Sequence, residues 1–378
     1  MPEKQRPPVP VRVQGMLEVL TRSNALLSIA VVLLGFLVAT ILILLAGRNP
    51  AGMYSAIFQV VSGWDLRRGI HNMRYVGEWF VSAIPLILCG LSMGFAARTG
   101  LFNIGAEGQY VAGLTAAQFT AIYGPQIPVF HWILAVLAGI IAGAVWGGIA
   151  GFLKARFSVS EVVATIMLNY IAQYLSRFFT LMIPGTNTFR TPDFPQTARL
   201  TSPFLASLTN GSRLNYGLYL TLAAVVLYWF IMGRTRFGYS LRATGVNRDA
   251  ARCGGINVNA AITASMAISG AFAGLAGAVV SLGVFPAGRV LAVQDGYGFD
   301  GIAVALVGNS TAWGSALSGL LFGMLKSAQP LMQSRQIPKE IASIILGLVV
   351  VFISLRAGIR IIVDWQRKEK ARKEREKG

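Results

Sequence analysis

The chain has 378 residues, of which 54% are hydrophobic and only 13% are charged. Soluble domains carry about 25% charged residues, so this composition excludes an ordinary soluble protein and indicates a chain that lies in a lipid bilayer. The net charge of +18 does not indicate a nucleic-acid partner, because the basic residues cluster beside apolar segments, as they do where Lys and Arg anchor membrane helices.

Apolar runs recur from Leu26 to Leu355 without a long polar stretch between them. Since a helix needs about 20 apolar residues to cross the hydrocarbon core, these runs predict an all-α polytopic membrane protein with about ten transmembrane segments in one domain, residues 25–355. The predicted segments are 25–46, 79–97, 102–123, 132–152, 161–183, 216–232, 260–282, 299–307, 314–332 and 337–355.

The basic residues orient these segments. Arg98, the pair Lys154 and Arg156, the loop 233–259 and the basic tail 356–378 all fall in the cytoplasm if the basic N-terminus, residues 1–24, does so too. The prediction therefore places both termini in the cytoplasm. The gap 47–78 fits less well, because it is placed outside and yet contains four arginines.

The eighth segment, residues 299–307, is too short to cross the membrane as a straight helix. We expect a broken or re-entrant helix buried in protein, as transporters use near the membrane midplane. Asp295, Asp300 and Asn309 surround a glycine-rich run there, Gly296 to Gly301. No lysine accompanies the run, so it predicts a tight re-entrant turn rather than a phosphate-binding loop. Asp300 is a candidate for lining a pore or bracing a helix.

The gap 184–215 is a long external loop. Its four prolines predict a structured but non-helical segment. Connections of this length are often functional, so the loop is expected to cap a pore or to meet an external partner. A plain connector is the alternative.

The stretch from Thr99 to Gln109 places a carboxylate and two amides where the third segment begins. Ionisable groups inside membrane segments are costly and usually face protein or a water path. Glu107 is therefore expected to cap or brace a neighbouring backbone, or else to line the conduit. Asn103 and Gln109 are candidates for the same two roles.

A second polar set lies in the fifth segment, where Glu161 opens the helix. Asn169 and Gln173 follow at one-turn spacing, so they share one helix face. They are predicted either to form hydrogen bonds between helices or to line a hydrophilic path.

The sequence offers little for catalysis or metal binding. His71 and His131 are its only histidines, Cys89 and Cys253 have no partner at metal-ligand spacing, and no hydrolase or metalloprotease motif occurs. The phosphate-binding pattern G-x-x-x-x-G-K-[ST] is also absent. We therefore expect no catalytic residue, metal or cofactor in this chain, and any ATP used in transport must be hydrolysed on another one.

The basic loop from Gly233 to Val258 parses as two short helices. The first is predicted at 239–244, and the second begins with Asn247 as its N-cap and ends at Gly254 and Gly255. Helices this short need a partner surface, so the loop is expected to dock onto another protein. Ala250 and Ala251 would form a small contact face, and Arg248 and Arg252 would pair with acids of the partner.

Three stretches together resemble a known family. They are Gly-Leu-Phe-Asn-Ile-Gly-Ala-Glu-Gly-Gln at 100–109, Ser-Glu-Val-Val-Ala-Thr-Ile-Met-Leu-Asn-Tyr at 160–170, and Arg-Ala-Thr-Gly-Val-Asn-Arg-Asp-Ala-Ala at 242–251. The chain is similar to the permease subunits of bacterial ABC importers for nucleosides, in the group that includes ribose and branched-chain amino acid permeases. The resemblance covers nearly the whole chain.

This resemblance implies a multi-pass protein of the bacterial inner membrane that forms a pore with a second permease, homologous or identical. It also implies an ABC ATPase subunit, which carries ATP and Mg, and an extracytoplasmic solute-binding protein facing the loop 184–215. The loop 233–259 would then be the coupling loop in the ATPase groove, with the contacting residues Arg242, Asn247, Arg248, Asp249, Ala250, Ala251 and Arg252.

Other functions stay open at this point. A ribose-like sugar permease would share the same fold and docking loop. A passive channel or facilitator would have no use for that loop, and an intramembrane transferase would need acids or histidines converging at one membrane face. The sequence favours neither of these last two.

Overall fold

The computed structural model describes residues 24–354. These residues are mostly helical, with two small two-stranded sheets. They divide into two units: the described residues up to Pro50 together with those from Gln336 onward, and Ala51–Arg335. The basic tail 356–378 and all but the last residue of the basic N-terminus 1–24 lie outside the described residues.

The first unit pairs the first and last predicted segments. Helix α1 spans Asn24–Leu45 and helix α14 spans Lys339–Ser354, and the two pack against each other. Beyond the helices, the Arg48 guanidinium donates a hydrogen bond to Gln336 Oε1 at 3.1 Å. This bond joins the turn after α1 to the turn before α14.

The second unit holds the remaining helices and both sheets. Strand β1 (Trp64–Asp65) pairs antiparallel with β2 (Ile70–His71), and β3 (Arg190–Asp193) pairs antiparallel with β4 (Ala287–Arg289). The helices are α2 (Ala51–Ser62), α3 (Arg74–Arg98), α4 (Ala106–Tyr123), α5 (Phe130–Phe157), α6 (Glu161–Leu181), α7 (Pro203–Leu208), α8 (Gly217–Arg234), α9 (Arg236–Val246), α10 (Arg248–Cys253), α11 (Val258–Val284), α12 (Tyr297–Val307) and α13 (Ala312–Ser334).

Helix α11 lies at the centre of this unit, packed against α3, α4 and α5. Its contact with α5 is made by glycines at four-residue spacing, including Gly143 and Gly147 on α5 and Gly270 and Gly274 on α11. A Cβ on Gly143 would collide with the carbonyl oxygen of Gly270, and a Cβ on Gly270 with that of Gly143. Small residues let helix backbones approach this closely, which is how helices associate in lipid, where no hydrophobic force drives them together.

Four of the described helices, α3, α5, α8 and α11, are long and apolar enough to cross a membrane, with mean hydropathies between 1.5 and 2.2. Each of the predicted segments also overlaps a helix of the structure. The architecture is therefore that of a polytopic helical membrane protein.

Two gaps contain helices that the sequence reasoning did not predict. Helix α2 lies in the gap 47–78, and its 12 residues fall below the length that identifies a membrane span. The gap 184–215 was expected to be non-helical, and this is wrong for α7. Pro203 is the first residue of α7, where proline is tolerated, and Ser202 Oγ caps the helix by accepting the N–H of Leu205 at 3.3 Å.

Helix α12 has the length of half a membrane span. Its 11 residues rise about 16 Å, against a hydrocarbon core of about 30 Å. Gly296 precedes it with a φ of +81°, a left-handed conformation that glycine adopts without steric cost. The glycine-rich run thus turns the chain sharply into α12.

Candidate functional site

Glu107 holds the N-terminus of the half-helix α12. It lies in the first turn of α4 and is fully buried. Its two carboxylate oxygens accept hydrogen bonds from the backbone N–H groups of Gly296, at 2.8 Å, and Gly298, at 2.6 Å. The first N–H groups of a helix have no acceptor within it, and a negative charge there complements the helix dipole. In the structure, therefore, the carboxylate braces the half-helix and presents no surface to a conduit.

Asn103 and Gln109 are bonded to each other. Asn103 Nδ2 donates to Gln109 Oε1 at 2.8 Å, and Gln109 Nε2 donates back to Asn103 Oδ1 at 3.1 Å. Asn103 Nδ2 also donates to Ser269 Oγ at 2.7 Å, and Ser269 Oγ donates to the carbonyl oxygen of Ser92 at 2.7 Å. All four side chains are buried. The network ties α4 and the turn before it to α3 and α11.

Asn169 and Gln173 both bond to backbone outside their own helix, α6. Asn169 Oδ1 accepts the N–H of Gly108 at 2.8 Å, and its Nδ2 donates to the carbonyl oxygen of Ile104 at 3.0 Å. Gln173 Nε2 donates to the carbonyl oxygen of Ala292 at 3.0 Å. Asn169 is buried, whereas Gln173 is only partly covered. Asn169 thus supports the start of α4, and Gln173 the segment that leads into α12.

Asp300 forms an ion pair on the flank of α12. Lys326 Nζ of α13 lies 2.7 Å from Asp300 Oδ2 and 4.3 Å from the ring centroid of Tyr297. Tyr297 and Asp300 are three residues apart on the same helix and therefore share a face. The ammonium group lies against both the ring and the carboxylate.

A second ion pair lies in the segment before α12. Arg289 reaches Asp295 with two hydrogen bonds, Nη1 to Oδ2 at 2.9 Å and Nη2 to Oδ1 at 2.5 Å. Tyr110 also donates to Asp295 Oδ2, at 2.8 Å, and its ring lies 5.6 Å from that of Tyr297. Burial alone would lower the pKa of Arg289, but the hydrogen bond from its guanidinium to Asp295 raises the pKa above its ordinary value. Two ion pairs therefore flank a pair of tyrosines.

Helices α9 and α10 form the docking loop predicted between Gly233 and Val258. The predicted N-cap is confirmed, since Asn247 Oδ1 accepts the N–H groups of Asp249 and Ala250, both at 3.0 Å. Asp249 and Arg252 are largely exposed and lie 3.7 Å apart. Helix α9 begins three residues before its predicted start at 239, because Thr235 supplies a side-chain cap to the N–H of Gly238.

The two alanines of α10 differ in burial. Ala250 is exposed, whereas Ala251 is buried in an apolar cluster with Ala96, Ala150 and Met266. The expectation that both alanines face a partner is therefore wrong for Ala251. A helix of six residues is not stable alone, so one of its sides has to pack on the chain's own long helices.

The exposed side of the loop is partly apolar. The Val246 side chain is 88% exposed and that of Tyr239 is 64% exposed. Arg242 and Arg248 are partly covered, and Arg248 Nη2 lies 3.5 Å from the carbonyl oxygen of Gly100. Sequence reasoning concentrated on the arginines and missed Val246, whose exposure depends on where α9 ends.

The turn between α3 and α4 touches the docking loop on one side and α12 on the other. A side chain on Gly245 of the loop would clash with the carbonyl oxygen of Arg98 and the N–H of Gly100. Arg98 Nε in turn donates to the carbonyl oxygen of Ser310, just after α12, at 2.8 Å. Tyr228 also donates to that carbonyl oxygen, at 2.8 Å.

The structure thus gathers Glu107 and Asp300 at α12 and places Asn103, Gln109 and Asn169 in the packing beside it. The sequence reasoning missed Tyr297, Arg289 and Lys326. Lys326 carried a readable signal, because it is the only charged residue within the predicted segment 314–332 and a lysine inside a membrane segment is itself evidence of a polar site.

The half-helix α12 is surrounded by a polar centre that consists of Glu107, Arg289, Asp295, Asp300 and Lys326, and broken helices beside polar groups are typical of membrane transporters. Residues 75–354 match the family described as the branched-chain amino acid transport system / permease component. The chain belongs to this family, and it is a multi-pass protein of the cell membrane.

Three similar proteins carry more specific names. The guanosine ABC transporter permease protein NupP of Bacillus subtilis is 39% identical over 352 residues, 92% of this chain and 98% of the relative. The nucleoside ABC transporter permease protein NupB of Lactococcus lactis subsp. cremoris is 33% identical over 90% of this chain and 93% of the relative. The glucose ABC transporter permease protein TsgB13 of Haloferax volcanii is 34% identical over 73% of this chain and 75% of the relative.

Proposed function

We propose that the chain is the permease subunit through which an ATP-driven importer takes up nucleosides. The observation that carries this proposal is the end-to-end similarity to relatives named for guanosine and nucleoside transport. The polar centre agrees with a neutral, hydroxylated solute, because Arg289 and Lys326 are each paired with a carboxylate. Paired charges offer hydrogen bonds without a strong preference for an ionic solute.

A sugar is the second candidate solute. It is favoured by the similarity to a relative named for glucose transport, although that similarity covers less of both chains than the two nucleoside matches do. Sugars and nucleosides share vicinal hydroxyl groups, so the same polar centre suits either solute.

The proposed topology has about ten membrane segments with both termini in the cytoplasm, and α12 is the short helical part of a broken eighth segment. The N-terminus 1–24 and tail 356–378 would be cytoplasmic, the loop 184–215 external and the coupling loop 233–259 cytoplasmic. This arrangement is supported by the basic residues beside the inner gaps and by the half-span length of α12.

The proposed partners are an ABC ATPase subunit that binds and hydrolyses ATP with Mg, a second permease and an extracytoplasmic solute-binding protein. The α9–α10 loop supplies the contact with the ATPase. Its exposed side presents Val246 and Ala250 beside the basic Arg252, a surface suited to a groove with an apolar floor and an acidic rim.

Coupling follows from the contacts of the turn between α3 and α4. Gly245 packs on this turn backbone to backbone, so a displacement of the docked loop moves the turn directly. The same turn bonds to the end of α12 through Arg98. We therefore propose that nucleotide-driven movement of the loop shifts α12 and opens or closes the path beside it.

Uptake measurements test the solute. Cells with and without this gene are compared for uptake of labelled guanosine, adenosine, ribose and glucose. We expect loss of guanosine and adenosine uptake with sugar uptake unchanged. Loss of ribose or glucose uptake alone assigns the chain to the sugar branch, and unchanged uptake of all four solutes rejects both assignments.

A further inference from the structure

We infer that Tyr297, Asp300 and Lys326 form a contact point for the hydroxyl groups of the solute on the wall of the translocation path. The inference rests on the proposed function and adds a site and a chemistry to it. The Asp300 carboxylate accepts hydrogen bonds from vicinal sugar hydroxyls, while Lys326 fixes the carboxylate in place.

The first step is where this ion pair lies. Asp300 belongs to a half-helix whose first turn is bonded to the buried Glu107, and Lys326 lies in the middle of α13, fourteen residues after its start at Ala312. Neither group is at the end of a long helix, where it could reach the polar surface of a membrane. Both are therefore charges within the membrane-embedded part of the proposed topology.

The second step is their exposure. The side chains of Lys326 and Asp300 remain 29% and 37% exposed, whereas the amide network of Asn103 and Gln109 is completely covered. Charged groups inside membrane proteins face protein or a water-filled cavity rather than lipid. The exposed part of this pair therefore faces the aqueous path or the partner permease that encloses it.

The third step is what the pair can bind. Lys326 engages Asp300 Oδ2, and within the described part of the chain Oδ1 accepts no hydrogen bond. The hydroxyl groups of a sugar can donate hydrogen bonds to such a carboxylate oxygen. The Tyr297 ring lies against the Lys326 ammonium. The contact point therefore combines a hydrogen-bond acceptor, a donor and an aromatic ring, which are groups that can bind a ribonucleoside.

The experiment uses the complete importer, with its ATPase, second permease and binding protein, in liposomes. Initial rates of ATP-driven uptake are measured for guanosine and for 2′,3′-dideoxyguanosine, which lacks both hydroxyls. The variants are Asp300→Asn, Lys326→Gln and, as a matched control, Asp65→Asn on the β1–β2 hairpin. The binding protein is the same throughout, so a change in the ratio of the two rates reports on the permease.

We expect Asp300→Asn to lower the ratio of guanosine to dideoxyguanosine uptake about tenfold, the effect of losing a hydrogen bond to a charged acceptor. Lys326→Gln removes the group that fixes the carboxylate but keeps the carboxylate itself, so the ratio should fall by a smaller factor, about two- to threefold. Asp65→Asn should leave both rates unchanged.

Two results overturn the inference. The first is an unchanged ratio in Asp300→Asn, whether or not both rates fall. The second is the same change of the ratio in Lys326→Gln as in Asp300→Asn, which shows that the ion pair only holds α12 and α13 together. The wild-type complex separates this from the proposed function. If it carries guanosine and the ratio does not respond, this inference alone fails, and if it carries no nucleoside, both fail.

Discussion

Arg98 and Glu107 hold opposite ends of the half-helix α12, although they flank a single turn of the chain. Glu107 accepts the N–H groups of Gly296 and Gly298 before and within the first turn, and Arg98 donates to the carbonyl oxygen of Ser310 beyond the last. The residues on either side of the turn between α3 and α4 therefore contact the chain at both ends of α12.

Glu107→Gln should loosen the start of α12. Glutamine keeps one acceptor oxygen, so one of the two N–H groups loses its partner and the negative charge at the helix start is lost. We expect a loss of about 1–3 kcal/mol of stability and faster hydrogen exchange at residues 296–300. The matched control is Asp249→Asn, which removes a carboxylate that is mostly exposed. Unchanged exchange at 296–300 would contradict the bracing role.

Ala250→Trp and Ala251→Trp should fail in different ways. Ala250 is exposed on the docking loop, so the tryptophan should leave expression normal but abolish co-purification with the ATPase. Ala251 is buried, so a tryptophan there overpacks the apolar cluster. This should lower the stability of the protein by about 1–3 kcal/mol or more and reduce the amount of folded protein. Expression and pull-down are measured for both variants. Wild-type ATPase binding and transport by Ala250→Trp would reject the loop as the coupling element.

The amide pair gives a double-mutant test. Asn103→Leu leaves the buried Gln109 amide without its main partner and should cost about 1–3 kcal/mol. Gln109→Leu should cost a similar amount. The double variant should lose less than the sum of the two, because neither amide is then left unpaired and only the Gly105 N–H still lacks its Asn103 acceptor. Thermal unfolding of the purified variants measures this. Strictly additive losses would show that the two amides act separately.

Thiol labelling tests the proposed orientation. Cys253 is exposed and Cys89 is buried, so the native chain offers one reactive thiol on the docking loop. Ser207 is exposed on α7 and is a suitable position for a cysteine on the proposed external loop. The nearby Ser202 is unsuitable, because it is buried and caps that helix. A membrane-impermeant reagent should label Ser207→Cys in intact cells and Cys253 only in opened ones. Labelling of Cys253 from outside would invert the topology.

The glycine contact between α5 and α11 can be probed within one helix. Gly143→Ala places a Cβ against the carbonyl oxygen of Gly270, whereas a Cβ on Gly148 meets only the Ala267 methyl group, at 3.7 Å. Gly143→Ala should destabilise the protein by about 1–3 kcal/mol, and Gly148→Ala should leave its stability unchanged. Equal melting temperatures for the two variants would argue against backbone contact here.

The long helices could be predicted because an apolar run of about 20 residues has few alternatives in lipid. The Asn247 cap was equally readable, since it depends on local sequence alone. The partners of the polar residues were not, because the bond from the Gly296 N–H to Glu107 and that from Arg98 to the Ser310 carbonyl oxygen join residues far apart in the sequence. The same limit hid the burial of Ala251, which is set by neighbours on three other helices.

Asn309 and Ser310 both have positive φ, 54° and 49°, directly after α12. Left-handed backbone costs a non-glycine residue roughly 1–2 kcal/mol, so this turn would relax if nothing opposed it. The hydrogen bonds from Arg98 and Tyr228 to the Ser310 carbonyl oxygen stabilise this turn, together with the backbone bond from the Ser310 N–H to the Ala305 carbonyl oxygen at 2.8 Å. The C-terminal end of the half-helix is therefore held in a backbone conformation that costs free energy, and the Arg98 and Tyr228 side chains contribute to holding it there.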